Sequence, residues 1–459
     1  MTTPAPPMSR VITLPGAIGM GLGSIIGTGV FVTLGLGAGL AGPWLLVAIA
    51  IAGGLAMCNG LSSAQLAAVH PVSGGTYAYG SRFVHPLAGF AAGWVFLLAK
   101  SASCATAALG FGGLIAWIAG RPGEGWTMTL AALGSLLVVT SAALAGLRRS
   151  MRFNAFLLTI TMLALVTMII AAAPAALKGW SGLSWSAVGA RSISAPGVLE
   201  AAALAFVAFA GFARIATLGE EVRQPRRTIP RAVVLTLLSA IVLYGLVAFT
   251  GLGVLGAGEF AMRSSEDAAP LLAVARAVKA PTLAWVLAAG SAAALLAVQL
   301  NLIMGLSRVA LAAGRDRDLP TPLARIDPQG VPTIATIAVT VVICGIILVG
   351  SVPMAWSLAA ASVLVYYAIT NLAAMRVAEG RFIARWVHAL GLIGCLALGV
   401  FVEPVVLGVM IAMVALGFGL RWTCRRFQPQ PPPVVSAGSS VESAGSVGAS
   451  AGATASASL

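Results

Sequence analysis

The chain has 459 residues, of which 59% are hydrophobic and only 9% charged. No water-soluble domain buries that much apolar surface, whereas runs of about 20 apolar residues are what a hydrocarbon layer roughly 30 Å thick requires. A formal net charge of +14 would point a soluble protein toward nucleic acid; here its distribution matters more than its sum, and no nucleic-acid partner is expected.

The opening "MTTPAPPMSR" carries one charge and leads into apolar sequence without a small-residue cleavage site, so the first helix is expected to be retained. The apolar runs predict an all-α polytopic membrane protein with twelve transmembrane helices. They cover residues 11–39, 43–69, 86–118, 126–146, 152–173, 197–221, 231–256, 282–313, 331–350, 353–376, 384–402 and 404–422. Between the seventh and eighth spans, "DAAPLLAVARAVKA" reads as a short amphipathic surface helix. Residues 427–459, rich in Pro, Ser, Gly and Ala, read as a disordered tail. The five cysteines lie in or beside apolar segments with no paired spacing. They read as small core residues, with no disulfide, metal site or cofactor implied.

Lysine and arginine placement gives an orientation. With residues 1–10 on the cytoplasmic side, the inner loops and tails carry most of the 27 basic residues. Outer loops hold Arg121, Lys178, Arg191, Arg263, Arg276 and Lys279, and the two that remain, Lys100 and Arg214, lie inside spans. Both termini are therefore expected to be cytoplasmic, in the plasma membrane.

The first span contains "IIGTGVF" at 25–31, and the sixth contains "AFAGF" at 208–212. Glycine costs a helix interior roughly 1 kcal/mol relative to alanine. In lipid an unwound turn is tolerated only where it is buried in protein or lines a cavity. Helices one and six are therefore predicted to be broken, and their five-helix offset orients them oppositely, as an inverted repeat demands. Paired interruptions in two halves point to a midplane transport site. The competing interpretation is that Gly27, Gly29 and Gly211 only permit close helix packing.

Four stretches carry a family resemblance: "GLGSIIGTGVFVTLG", "PVSGGTYAYGSRFVHPLAGFAAGW", "EEVRQPRRTIPRA" and "GLSRVALAAGRDRDLP". In this order they resemble permeases of the amino acid–polyamine–organocation superfamily, nearest the cationic amino acid transporter-like branch. The resemblance implies a leucine-transporter-type 5+5 inverted repeat, residues 11–173 and 197–376, followed by two helices over 384–422, with alternating access. It implies that a substrate carboxylate meets N–H groups around Gly27, Thr28 and Gly29, at the positive end of a half-helix. The substrate's amino group would meet carbonyls near Ile26 and around Phe209, Ala210 and Gly211, with Phe206 or Phe209 as an aromatic gate. Some relatives need a disulfide-linked accessory subunit; the loop "AGRPGEGW" has no cysteine, so none is expected. The sequence leaves the oligomeric state open.

Against that family pattern, three positions differ. Ala99, next to Lys100, stands where an acid is frequent, as does Ala213, which precedes Arg214. Thr161 stands where proton-coupled relatives often place a lysine. None of the 13 acids falls clearly mid-membrane, which argues against a cationic substrate. Lys100 lies roughly 21 Å along its helix from Pro86, too deep to snorkel easily, and an intramembrane cation is by default a functional candidate. It is a candidate for proton exchange, and with Arg214 for receiving an anionic substrate. Thr161 is either a coupling position or a hydroxyl bonding its own backbone. Glu220 and Glu221 are expected to gate the inner side with arginines such as Arg308, with Arg82 a further partner, and Arg214 is spaced to pair with Glu221.

A secondary active transporter of amino acids is the leading expectation. A non-transporting amino-acid-binding sensor, or a transporter of another small organic anion or amine, are the alternatives. No nucleophile–base constellation supports an enzyme.

Overall fold

Backbone N–H and C=O groups have no water to bond inside a bilayer, so each must be satisfied within the protein. The computed structural model meets this with helices, and it describes residues 10–27, 29–121, 125–181, 195–266, 270–349, 352–400 and 404–427. The predicted tail after Phe427 lies outside the described residues. In chain order the helices are α1 (Leu14–Ile25), α2 (Leu34–Ala41), α3 (Leu45–Val69), α4 (Thr76–Phe83) and α5 (Pro86–Ile118). Next come α6 (Gly125–Leu144), α7 (Leu147–Ser181), α8 (Ala195–Phe209), α9 (Ala213–Thr217) and α10 (Pro225–Glu266). The last are α11 (Pro270–Ala277), α12 (Pro281–Arg315), α13 (Thr333–Val349), α14 (Val352–Arg376), α15 (Arg385–Gly399) and α16 (Pro404–Phe427). Among the described residues there is no strand.

Among the described residues, eight helical stretches are long and apolar enough to cross a membrane, and three shorter apolar helices accompany them. The chain is a polytopic membrane protein. Several elements outrun their predicted ends, because polar residues at an interface continue a helix that hydropathy alone truncates. Thus α7 begins at Leu147 and runs through Pro174 to Ser181, and α10 runs to Glu266 across a kink where Gly256 takes φ 73°. Gly42, at φ 55°, separates α2 from α3, a left-handed turn that suits glycine. The short helix α11 occupies part of the predicted amphipathic stretch.

Helices α5 and α12 form the centre. α12 packs on both α5 and α7, α14 packs on α5, and α10 and α8 pack on α3. Glycines set the closest approaches. A Cβ on Gly290 of α12 would stand 2.3 Å from the Ala164 methyl of α7. A buried polar knot fastens α3, α14 and α15. Ser62 Oγ stands 2.7 Å from both Asn371 Oδ1 and His388 Nδ1, and Asn371 Nδ2 donates to Asn59 Oδ1.

One end of the bundle is cross-tied. Ile12 N donates to Glu221 O at 2.9 Å, and Arg223 N to Ile12 O at 2.8 Å, so the segment before α1 pairs with the one before α10. Asp318, buried just after α12, accepts from Arg421 Nε at 2.7 Å and pairs with Arg425 Nη2 at 2.8 Å, both on α16. Its other oxygen, and Asp316, share the Tyr77 hydroxyl of α4 at 2.9 Å each. Burial and these two carboxylates push the Tyr77 phenol well above its ordinary pKa, so it remains a donor. Three separate segments thus converge on one carboxylate.

Removing one member of a buried ion pair strands the others, at a cost of about 3–5 kcal/mol. Asp318→Ala is therefore expected to lower the thermal unfolding midpoint of the detergent-purified protein markedly, and Asp318→Asn by less. An unchanged midpoint in both would show that Asp318 does not hold these segments together.

Candidate transport site

The first span leaves helical geometry at Ile26, which takes φ −83° and ψ 95°. The chain resumes as a π-helical turn over Gly29–Thr33 before α2; Thr28 lies outside the described residues. Across from this gap the sixth span tightens into a 3₁₀ turn, Ala210–Phe212, between α8 and α9. The two interruptions therefore differ: one is an extended gap, the other an overwound turn that keeps helical torsions.

They meet at Gly211. A Cβ there would lie 2.5 Å from the carbonyl carbon and oxygen of Ser24 and 2.7 Å from Ile25 N. Those are backbone atoms, which cannot swing aside. Added Cβ atoms on Gly27 and Gly29 would stand 2.1 Å from Val298 Cγ2 and 2.6 Å from the Tyr244 hydroxyl. Close packing is thus a real function of all three glycines, alongside the breaks they sit in.

Carbonyls near both interruptions find partners in tyrosine. The Tyr244 hydroxyl of α10 donates to Ile25 O at 2.7 Å and lies 3.3 Å from Ala208 O. Tyr367 of α14 donates to Ala210 O at 3.1 Å, and Tyr79 of α4 to Ala216 O at 3.2 Å. Sequence reasoning missed these residues. The signal was present, since a phenol within an apolar span such as "AIVLYGLVAF" must find an acceptor.

A cavity of about 30 Å³ lies between the interruptions, enough to hold water. Ser24, Ile25 and Gly29 line it from the first span, and Val207, Ala208 and Gly211 from the sixth. Lys100 and Ser103 of α5 and Val298 and Leu302 of α12 complete the wall. Ser24 and Ser103 donate to Met20 O and Ala99 O, leaving their lone pairs free to accept. Lys100 is 7% exposed and has no hydrogen bond or ion pair among the described residues.

The other predicted residues are distributed around this cavity. Ile26, Gly27, Ala210 and Ala213 are buried beside it. Phe206 and Phe209 are fully buried against Tyr367 and Tyr244 respectively, and neither ring is part of the cavity wall. Thr161 donates to Leu157 O at 2.9 Å, with Gly290 O at 3.3 Å. That is the backbone-bonding alternative, extended across to α12. Glu221 pairs with Arg308 Nη2 at 2.9 Å, both buried. Glu220 takes a different arginine, Arg315, at 3.1 Å, and also accepts from Ser73 N. Arg82 is exposed and lies 5.9 Å from the Phe83 ring.

Arg214 forms no ion pair with Glu221. The seven-residue spacing assumed a continuous helix, but α9 ends at Thr217 and a 3₁₀ turn carries Gly219–Glu221. Arg214 reaches only Thr217 Oγ1, at 3.4 Å.

Interrupted helices enclosing a polar cavity, within a bundle of bilayer-length helices, define a membrane transport protein. The chain belongs to the amino acid permease family, whose model matches residues 12–436, which makes it a transporter and not an enzyme. It is 39% identical over 401 residues to a protein of Mycobacterium tuberculosis H37Rv named only as an uncharacterised transporter, covering 85% of this chain and 86% of that one. It is 28% identical to the branched-chain amino acid permease BcaP of Bacillus subtilis, over 69% of this chain and 70% of the permease. Against the Arabidopsis thaliana cationic amino acid transporter 3, identity is 26% over 74% of this chain and 57% of the relative.

A methyl group at Gly211 must separate two backbones, and overpacking of this kind costs about 1–3 kcal/mol. Gly211→Ala is expected to lower the unfolding midpoint and abolish transport. Gly245→Ala, next to Tyr244 but facing open space, is expected to change neither. Equal behaviour of the two variants in thermal unfolding and uptake would remove the crossing from the site.

Proposed function

We propose that this protein is a secondary active transporter of amino acids, cycling by alternating access with a proton as coupling ion. In this reading twelve spans are arranged as two inverted five-helix repeats, residues 11–173 and 197–376, with 384–422 appended and both termini cytoplasmic in the cell membrane. The observation that carries it is the cavity enclosed by the first-span gap, the 3₁₀ turn and Lys100.

In this reading the interruption at Gly27 and Gly29 offers backbone amides at a positive helix end suited to a substrate carboxylate. The substrate's amino group is taken by carbonyls from Ile26 and from the Phe209–Gly211 turn. Since Tyr244 and Tyr367 hold the neighbouring carbonyls in this state, substrate engagement exchanges or shares those bonds.

The cross-tied end is the closed inner gate. Glu221–Arg308, Glu220–Arg315 and the Ile12–Val222 backbone pairing have to separate for substrate to reach the cytoplasm. Lys100 is the coupling group: it stands buried at the cavity wall with no acceptor among the described residues, placed to exchange a proton with an arriving substrate. The relatives' names, which include a branched-chain amino acid permease, support the amino-acid class.

In proteoliposomes, some members of a panel of labelled amino acids are expected to accumulate when an inward proton gradient is imposed. Lys100→Ala is expected to abolish gradient-driven accumulation while retaining exchange of internal for external substrate. Equal loss in both assays, or equal retention, would take Lys100 out of the coupling mechanism. Glu221→Gln, which weakens the inner gate, is expected to raise the rate of exchange relative to accumulation.

A further inference from the structure

A guanidinium keeps its charge throughout the physiological range and offers five N–H donors in a fixed fork. Arg214 is only 5% exposed, yet its Nε and Nη2 have no acceptor among the described residues. The single bond from Nη1 to Thr217 Oγ1, at 3.4 Å, is long. Arg308 and Glu221 act on it electrostatically; Glu221 Oε1 is held by Arg308 at 2.9 Å, while Glu221 Oε2 and Arg308 Nε have no hydrogen-bond partner among the described residues. This buried cluster therefore carries one positive charge in excess. Lys100 adds a second unpaired cation at the cavity wall.

Position connects these charges to the site. Arg214 follows Gly211, a wall residue, by three positions, roughly 5 Å along a helical axis. Its Nη1 lies 3.4 Å from where a Gly305 Cβ would stand, and Gly305 follows the wall residue Leu302 by the same interval. With hydrogen at position 305, α12 places no side chain against the guanidinium at that point. The two unsatisfied donors, Nε and Nη2, are the parallel pair on one edge of the fork, the edge that a carboxylate engages with both oxygens.

We propose that Arg214, assisted by Lys100, selects substrates whose side chain ends in a carboxylate: acidic amino acids of the aspartate and glutamate class. This rests on the amino-acid transporter reading above. The freed amides near Gly27 and Gly29 hold the α-carboxylate. The side chain points toward the inner gate, where its carboxylate bridges Nε and Nη2 and neutralises the excess charge. A cavity of about 30 Å³ admits no amino acid, so these contacts form as it widens.

The test is uptake of labelled glutamate, aspartate, leucine and arginine by the full chain in proteoliposomes, as wild type, Arg214→Gln and Arg214→Lys. Wild type is expected to carry an acidic amino acid in preference to leucine or arginine. Arg214→Gln is expected to lower kcat/KM for the acidic substrate about tenfold or more, the scale of a lost charge-assisted hydrogen bond. It should leave any leucine uptake within about threefold, and Arg214→Lys should recover part of the loss. Uptake of leucine or arginine without uptake of acidic amino acids overturns the proposal while leaving the transporter reading intact. So does an equal loss for leucine and glutamate in Arg214→Gln, or neutral amino-acid uptake that requires chloride. If the variant does not fold, the wild-type preference alone decides. If no amino acid of any charge is carried, the transporter reading itself fails and the selectivity proposal with it.

Discussion

A backbone polar group left without a partner in a low-dielectric interior costs several kcal/mol, and this architecture interrupts a helix where that cost is greatest. Everything around the interruption answers it. The Tyr244 hydroxyl reaches from α10 to the carbonyl of Ile25, the last residue before the gap, and Tyr367 reaches from α14 to Ala210. Gly211 has no side chain, so the sixth span can lie against the exposed backbone of Ser24 and Ile25. The interruption is stable because parts of three other helices are committed to it.

Buried charge obeys a similar rule. Arginine and carboxylate side chains occur deep in the cross-tied end where they meet one another, as in Glu221–Arg308 and Arg421–Asp318. These pairs join segments far apart in sequence: the end of the sixth span to α12, and α16 to the loop after α12. Lys100 and the unsatisfied edge of Arg214 are departures from the rule, and both lie at or beside the cavity. Arg308 Nε is also without a partner among the described residues, but Arg308 has its carboxylate; a buried cation that lacks one beside a cavity is a candidate to receive its counter-charge from a ligand.

The helical architecture was legible because hydropathy and helix length follow directly from bilayer thickness. The glycines of "IIGTGVF" announced the first gap, since no other apolar residue weakens a helix so cheaply. Lys100 was legible as a deep cation from its distance to Pro86. What the sequence hid were contacts set by three-dimensional packing. Arg214 and Glu221 read as one helical face because nothing local in "ARIATLGEEV" announces that α9 stops at Thr217. Phe206 and Phe209 read as gate candidates, yet both rings face tyrosines from other helices. Which of several arginines meets Glu220 depends on how α12 ends, and the answer is Arg315.

The smallness of the cavity has a consequence for how any ligand is measured. A space of about 30 Å³ excludes an amino acid, so on the proposed reading recognition would begin from a rarer, expanded conformer. Apparent affinity is then the intrinsic affinity diluted by the fraction of molecules in that conformer. Loosening a tyrosine tie such as that of Tyr244 would enlarge the fraction and tighten apparent binding without adding one contact to the ligand. On the proposed cycle, sensitivity and leakiness would then be set by the same hydroxyl groups.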